Sequence, residues 1–163
     1  MASGDDRAAV PDNLTGVGLN IGLVRARGND QIVDRLADGV ERAFSALRMT
    51  RTVEIVVPGC LEIPLGAKYL AESGQVDAVV CIGAAIRYET THYDLVVGEC
   101  GRGIQELQMR SGVPVTFGVL AVEDEAQATA KSDGPDGHNV GHEAALGAVE
   151  MARLAQKWGK LGK

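Results

Sequence analysis

The sequence predicts an α/β fold in which a mainly parallel sheet is covered by helices on both faces. Short apolar runs rich in β-branched residues alternate along the chain with amphipathic stretches of helical period. Such alternation implies right-handed βαβ crossovers, which make consecutive strands parallel and place helices on both sides of the sheet. The chain has 21 glycines among 163 residues, well above the average of about 7%. Many of them fall at segment ends, which favours tight turns between strands and helices.

The first strand and helix are predicted between residues 19 and 47. Residues 19–26 form a largely aliphatic run, and the polar cluster 27–30 follows it as a loop. Apolar side chains then recur every three or four positions over 31–47, which predicts an amphipathic helix. Residues 52–57 predict the second strand, which a Pro-Gly pair ends.

The next unit repeats this order and leads into the most informative segment of the chain. Residues 63–73 predict a helix, with Gly74 as its C-cap. The run 78–82 is too short for a helix and rich in β-branched residues, so it predicts a strand buried on both faces. The segment 83–94 then carries Arg, Glu, two Thr, His, Tyr and Asp. Because ligands bind at the carboxyl ends of strands in open α/β sheets, we expect this segment to be a loop that carries chemistry.

The remaining elements complete a four-stranded sheet. Residues 93–110 predict a helix, and 113–120 predict a fourth strand with Pro114 near its start, where a missing N–H is tolerated. Two further helices are predicted over 123–131 and 141–158.

Composition and charge exclude several classes of protein. The net charge of -6 and pI near 5.0 argue against a nucleic-acid-binding surface, which needs clustered basic residues. No window approaches the roughly 18 apolar residues of a membrane span, and the polar N-terminus lacks the apolar segment of a signal peptide. The three cysteines have no metal-type spacing and are expected to be reduced thiols. The chain is therefore expected to be soluble and cytoplasmic.

Four groups of residues are candidates for chemistry, each with a simpler alternative. His92 could transfer protons near neutral pH, or be an incidental histidine of a surface loop. Glu62 could bind a polar ligand, or be an acid favoured by a helix N-terminus. Thr90 and its neighbour Thr91 could hold a phosphate together with Lys131, or Lys131 could merely neutralise a helix C-terminus. His138 and His142 could share a helix face that suits a metal, but no third ligand completes that site, and we predict none.

Several motifs, taken in order along the chain, together resemble those of lumazine synthase. They cover most of the chain, from about Gly18 to Leu154. The motifs are VPGCLEIPL at 57–65, GAAIRYETTHYD at 83–94, GVPVTFGVL at 112–120, NVGHEAA at 139–145 and AVEMA at 148–152.

The resemblance implies a fold, a reaction and an assembly. The fold is a flavodoxin-like three-layer sandwich over residues 18–158, with an N-terminal extension at 1–17 and a C-terminal tail at 159–163. The reaction condenses 5-amino-6-ribitylamino-uracil with 3,4-dihydroxy-2-butanone 4-phosphate to 6,7-dimethyl-8-ribityllumazine, the precursor of riboflavin, without a cofactor. Family members form homopentamers with active sites between subunits, and some build sixty-subunit shells. We expect a free pentamer here, since the segment 132–140 is slightly longer than in shell formers and contains Pro135.

The resemblance also assigns roles to residues. His92 becomes the general acid or base, Glu62 contacts the ribityl chain, and Phe117 lines the pocket from the neighbouring subunit. The phosphate meets the Glu89-Thr90 segment and Lys131. The remaining predicted substrate-binding residues are Gly28, Asn29, Cys60, Leu61 and Tyr88.

Four positions depart from the family pattern. Gly28 stands where the family has a Phe or Trp stacked on the pyrimidine ring, a loss of about 1 to 3 kcal/mol by analogy with base stacking. Tyr88 replaces a usual glycine, Lys131 an arginine, and Val140 a lysine or histidine. We hypothesise that Tyr88 fills part of the volume vacated at Gly28. The alternative to the enzyme is a catalytically weak or inactive paralogue that serves as a pentameric binding or shell-forming module.

Overall fold

The protein is a four-stranded parallel sheet between two layers of helices. The computed structural model describes residues 9–88 and 90–159, and the strand order in the sheet is β2-β1-β3-β4. The strands are β1 (Asn20–Ala26), β2 (Arg51–Val57), β3 (Ala78–Ile86) and β4 (Val115–Val122). The helices are α1 (Asp30–Ala46), α2 (Ile63–Glu72), α3 (His92–Ser111), α4 (Glu125–Ala130) and α5 (Val140–Trp158). Every strand pairing is parallel, so the predicted three-layer α/β fold is confirmed.

The central strand β3 is buried on both faces, as its apolar run predicted. Val80 and Ile82 pack into the core that α1 and α5 cover. Val79 and Cys81 point the other way, into the core that α2 and α3 cover. This alternation follows from the two-residue period of a strand, which sends successive side chains to opposite faces of the sheet.

The predicted end of β3 was wrong. The strand continues to Ile86, because residues 83–86 pair with β4 in register from Gly83 opposite Val119 to Ile86 opposite Val122. A glycine suits position 83 of this strand, because a Cβ there would lie 2.9 Å from the sulfur of Cys60. The segment expected as a loop over 83–94 is therefore reduced to residues 87–91, and His92 begins α3.

The start of β4 was also predicted too early. The strand begins at Val115, and the carbonyl of Pro114 accepts a hydrogen bond from the Val79 N–H at 2.8 Å. The short helix α4 begins at Glu125, two residues later than expected, because the Asp124 side chain caps it by accepting from the Gln127 N–H at 2.8 Å.

Two glycines end helices as their positions in the sequence indicated. Gly74 follows α2 and Gly112 follows α3, and both adopt left-handed backbone conformations with φ of 72° and 71°. Glycine takes this conformation without the steric penalty that a Cβ imposes.

The segment before residue 18 contacts the last helix. The Arg153 guanidinium donates to the carbonyls of Thr15 at 2.9 Å and Val17 at 2.7 Å. The predicted boundaries at residues 18 and 158 stay predictions. Within the described part of the chain, no helix is long and apolar enough to span a membrane.

Candidate active site

The loops that follow the four strands lie along one edge of the sheet. Because the strands are parallel, their carboxyl ends all meet at that edge, which is the usual place for a ligand in such folds. Two backbone hydrogen bonds connect neighbouring strands just beyond their carboxyl ends. The Arg27 N–H donates to the Val57 carbonyl at 3.0 Å, and the Arg87 N–H to the Val122 carbonyl at 2.9 Å. The loops are thereby held side by side.

Asn29 connects the end of β1 to β3. Its backbone is left-handed, with φ of 54°, a conformation that asparagine tolerates better than most residues. Its side-chain amide donates to the Ala84 carbonyl at 2.8 Å. The preceding Gly28 faces open space, since no atom lies within 4 Å of the position that its Cβ would take. The chain therefore has room for a larger side chain at Gly28.

Cys60 brings the end of β2 to the same part of β3. It lies in a 3-10 turn (Cys60–Glu62) against Gly83, and its thiol contacts the Ala84 backbone. Burial raises the pKa of Cys60 to about 11. The hydrogen bond to the Ala84 backbone lowers the pKa, but by less than burial raises it. The thiol is therefore protonated at neutral pH, which suits a pocket wall and not a nucleophile.

Glu62 and Leu61 are exposed beside Cys60. The Glu62 carboxylate approaches to 3.2 Å from the position that a Gly59 Cβ would take, and it makes no side-chain cap to α2. Glu62 lies directly before α2, so both interpretations of it, a ligand-binding residue and an acid favoured by a helix N-terminus, stay open.

The residues after β3 form a tight turn held by Arg87. The Arg87 guanidinium donates to both carboxylate oxygens of Asp94, at 2.5 and 3.3 Å. It also stacks over the Tyr93 ring at 4.5 Å, and its Nε lies 3.3 Å from a carboxylate oxygen of Glu123. Neither Arg87 nor Glu123 was singled out from the sequence. The sequence did contain a signal for this ion pair. Arg87 follows a strand, and an aspartate stands seven residues later, in the first turn of a helix.

Three predicted residues lie on or beside this turn, exposed to solvent. Thr90 and Thr91 precede α3, and His92 is its first residue. Glu89, the fourth predicted residue of this segment, lies outside the described residues. A helix N-terminus can attract an anion, because its first backbone N–H groups lack the usual partner within the helix, and Thr90 and His92 lie at this end of α3.

Tyr88 lies beside a cavity of about 220 Å³ that Asn29 lines. Its hydroxyl donates to a carboxylate oxygen of Glu125 at 3.5 Å, and Glu125 lines the same cavity. The tyrosine ring is 57% exposed. Tyr88 is therefore linked through Glu125 to a cavity that Asn29 also lines, and the idea that its ring fills the volume left at Gly28 stays a prediction.

Lys131 and Phe117 are not brought into contact with the other predicted residues. Lys131 follows α4 and is exposed, and its side chain forms no hydrogen bond or ion pair with a described residue. Phe117 lies opposite Cys81 in the middle of β4, near Gly101 of α3, and is 41% exposed. The ring is thus on the side of the protomer and not at the carboxyl edge.

Other features of the described residues do not compete with this edge. A larger cavity of about 570 Å³ between α2 and α3 contains none of the predicted site residues. His138 pairs with Glu143 at 3.0 Å. In residues 9–88 and 90–159, no three His, Cys, Asp or Glu side chains are grouped as a metal site would require.

Comparison with known proteins gives one consistent family. A family model described as 6,7-dimethyl-8-ribityllumazine synthase matches residues 18–156. The chain is 44% identical over 148 residues to the protein of that description from Thermococcus kodakarensis, with 91% of this chain and 94% of the relative covered. It is 43% identical over 145 residues to the one from Paraburkholderia phymatum, with 88% and 81% covered. The one from Thermococcus onnurineus is 43% identical over 142 residues, with 87% and 92% covered.

Proposed function

The chain belongs to the 6,7-dimethyl-8-ribityllumazine synthase family and is a transferase of riboflavin biosynthesis, and from that premise we propose how its residues carry the reaction. The activity is the condensation of 5-amino-6-ribitylamino-uracil with 3,4-dihydroxy-2-butanone 4-phosphate. The alternative of an inactive paralogue is not favoured, because the matched relatives are described as the synthase.

The carboxyl edge of the sheet supports a site for both substrates. Asn29 and Cys60 both contact the Gly83-Ala84 part of β3, and the turn before α3 follows the end of the same strand. We assign the pyrimidine and its ribityl chain to the segments of Gly28 and Glu62. The phosphate is assigned to Thr90 and the N-terminus of α3, with Lys131 supplying a positive charge.

The reaction requires the protein to position two substrates and to transfer protons. The substrate amine attacks the butanone ketone to form an imine, phosphate is eliminated, and the ring closes with loss of water. Holding two reactants in one site removes much of the entropic barrier to the first step. His92 lies at the turn that we assign to the phosphate, and an imidazole there can transfer protons during imine formation and elimination.

We propose that the complete site needs a neighbouring copy of the chain in a homopentamer. The support is the position of Phe117, which is exposed on the side of the protomer, away from the carboxyl edge. Other large apolar side chains, such as Leu65, Tyr69 and Met109, are also exposed in one protomer. A cytoplasmic location is supported by Cys60, Cys81 and Cys100, which are all free and buried.

Turnover with both substrates tests the assignment of His92. We expect His92→Ala to lower kcat by about 100-fold or more, the usual contribution of a general acid or base. His142→Asn is the matched control, since His142 lies in α5 and was not assigned to the site, and it should keep the parental kcat. An unchanged kcat in His92→Ala would remove the proposed role.

A second variant tests whether Tyr88 compensates for the missing aromatic at Gly28. If the ring borders the bound pyrimidine, Tyr88→Gly should weaken substrate binding, and calorimetric titration would show it. Trp158→Gly is a control, because Trp158 is exposed at the end of α5 and is assigned neither to the site nor to the contact between copies. Equal affinity of Tyr88→Gly and the parent would contradict the idea.

A further inference from the structure

Arg87 makes more specific contacts than the other described side chains of the turn between β3 and α3. Its guanidinium donates to both oxygens of Asp94 and stacks on Tyr93, while its backbone N–H is fixed to Val122. A bidentate pair of this kind fixes orientation as well as distance. The pKa of Arg87 is raised, mainly by the hydrogen bond to Asp94 and further by the nearby carboxylates. The guanidinium therefore stays charged.

The pair joins the two ends of the segment that contains His92. Arg87 directly follows the last residue of β3, and Asp94 lies in the first turn of α3. The Asp94 N–H donates to the Thr91 carbonyl at 3.2 Å, so the carboxylate held by Arg87 belongs to the same turn as His92. Among the described residues, Glu123 adds a third anchor from the end of β4. The start of α3 is thus tied to both β3 and β4.

We propose that Arg87 is a positioning residue, which acts by fixing the first turn of α3 and with it His92. This inference rests on the proposed function. The Arg87 guanidinium faces two carboxylates and an aromatic ring, and both of its terminal nitrogens donate to Asp94, while its buried Nε lies 3.3 Å from a Glu123 oxygen without a hydrogen bond. A phosphate would have to displace Asp94 and approach two carboxylates to reach it. Arg87 therefore orients a catalytic group and does not itself bind the phosphate.

The test compares Arg87→Gln and the milder Arg87→Lys with the parent enzyme and with His92→Ala. A small misplacement of a catalytic group is costly, so we expect kcat to fall about 100-fold in Arg87→Gln, with the KM of the phosphate substrate nearly unchanged. Arg87→Lys should fall less, since it keeps the charge but loses the bidentate fork. Because Arg87 acts through His92, adding Arg87→Gln to His92→Ala should cost no further activity.

Two further variants control for loss of structure. Arg102→Gln removes an arginine that also pairs with two carboxylates, Glu99 at 2.5 Å and Glu106 at 2.7 Å, but entirely within α3, and it should keep the parental kcat. Exchanging the charges, with Arg87→Asp and Asp94→Arg together, re-forms an ion pair across the same turn. This double variant should recover about tenfold in kcat over Arg87→Asp alone, the size of a typical pairwise coupling.

The outcomes separate the two proposals. A higher KM for the phosphate substrate with an unchanged kcat in Arg87→Gln would overturn the inference and make Arg87 a phosphate ligand. Additive losses in the double variant with His92→Ala would overturn it as well. If the parent formed no product, or if His92→Ala kept full activity, the proposed function itself would fail instead.

Discussion

Gly28 lies at the end of β1 in a backbone conformation that other residues can adopt, and it faces open space. We expect Gly28→Trp to add a stacking surface for the pyrimidine without straining the fold. Base stacking on an aromatic side chain contributes about 1 to 3 kcal/mol, so the KM of the uracil substrate should fall by about tenfold. Steady-state kinetics at a saturating level of the phosphate substrate would measure it.

Gly28→Ala is the control for this change, since it adds a Cβ without a ring and should leave the KM of the uracil substrate near the parental value. An unchanged KM in Gly28→Trp would mean that the pyrimidine does not bind beside this residue.

Lys131, which we assign to the phosphate, follows α4 and is exposed. A guanidinium can hold a phosphate by two parallel hydrogen bonds, whereas an ammonium acts as a point charge. Lys131→Arg should therefore lower the KM of the phosphate substrate, and Lys131→Met should raise it by about tenfold, a little over 1 kcal/mol. Lys68→Met, which removes an ion pair to Glu72 on α2, is the control and should leave that KM unchanged. Equal KM values in all these variants would remove Lys131 from the site.

At the scale of elements, the sequence predicted which strands exist better than where they end. Ala78 to Ile82 carry the β-branched side chains that favour a strand, whereas Gly83, Ala84 and Ala85 have little strand propensity of their own. They remain in β3 because β4 pairs with them, and the close approach of Cys60 favours glycine at position 83. Tertiary contacts of this kind are invisible in a local pattern, so His92 was expected in a loop and lies in a helix.

The core beneath α2 and α3 contains three buried thiols whose pKa values are all raised, chiefly by burial. For Cys100 the pKa rises from 9.0 to about 12. A raised pKa means that the unfolded chain loses its proton first, so the stabilising contribution is complete below pH 9.0 and is lost as the pH rises toward 12. As the pH rises from 8 to 11, the raised pKa of Cys100 alone should lower the free energy of unfolding by about 2 to 3 kcal/mol.

Cys100→Ala provides the measurement for this prediction. The substitution lowers stability at every pH by leaving a small cavity, but it should make the decline between pH 8 and pH 11 shallower than in the parent. Urea unfolding at several pH values gives both curves, and parallel curves would contradict a raised pKa for this thiol.

For the whole molecule, the sequence motifs point to the edge of the sheet where we propose the site, but they do not show how neighbouring chains would complete it. Asn29 and Cys60 both contact β3, and the turn before His92 follows the carboxyl end of that strand, as the parallel order predicted from the alternation of elements requires. Phe117 is different. Only the family resemblance assigned Phe117 to the pocket of a neighbouring subunit. In a single chain its ring is exposed in the middle of β4, away from the carboxyl ends of the strands. Contacts between chains have no signature in the periodicity of a single chain.

Mixing two inactive variants tests whether sites are shared between chains. His92→Ala lacks the proton-transfer group, and Phe117→Ala lacks the wall that we assign to the neighbour, so each alone should have low activity. If each site takes His92 from one chain and Phe117 from another, about a quarter of the sites in randomly mixed assemblies combine both native residues, in a ring of identical contacts. Refolding the two variants together should therefore restore about that share of the parental rate. Light scattering should give a mass near five times the 17.1 kDa of one chain. If Phe117 served its own chain, no mixture would exceed the average of the two variants, because every site would then carry one of the two substitutions.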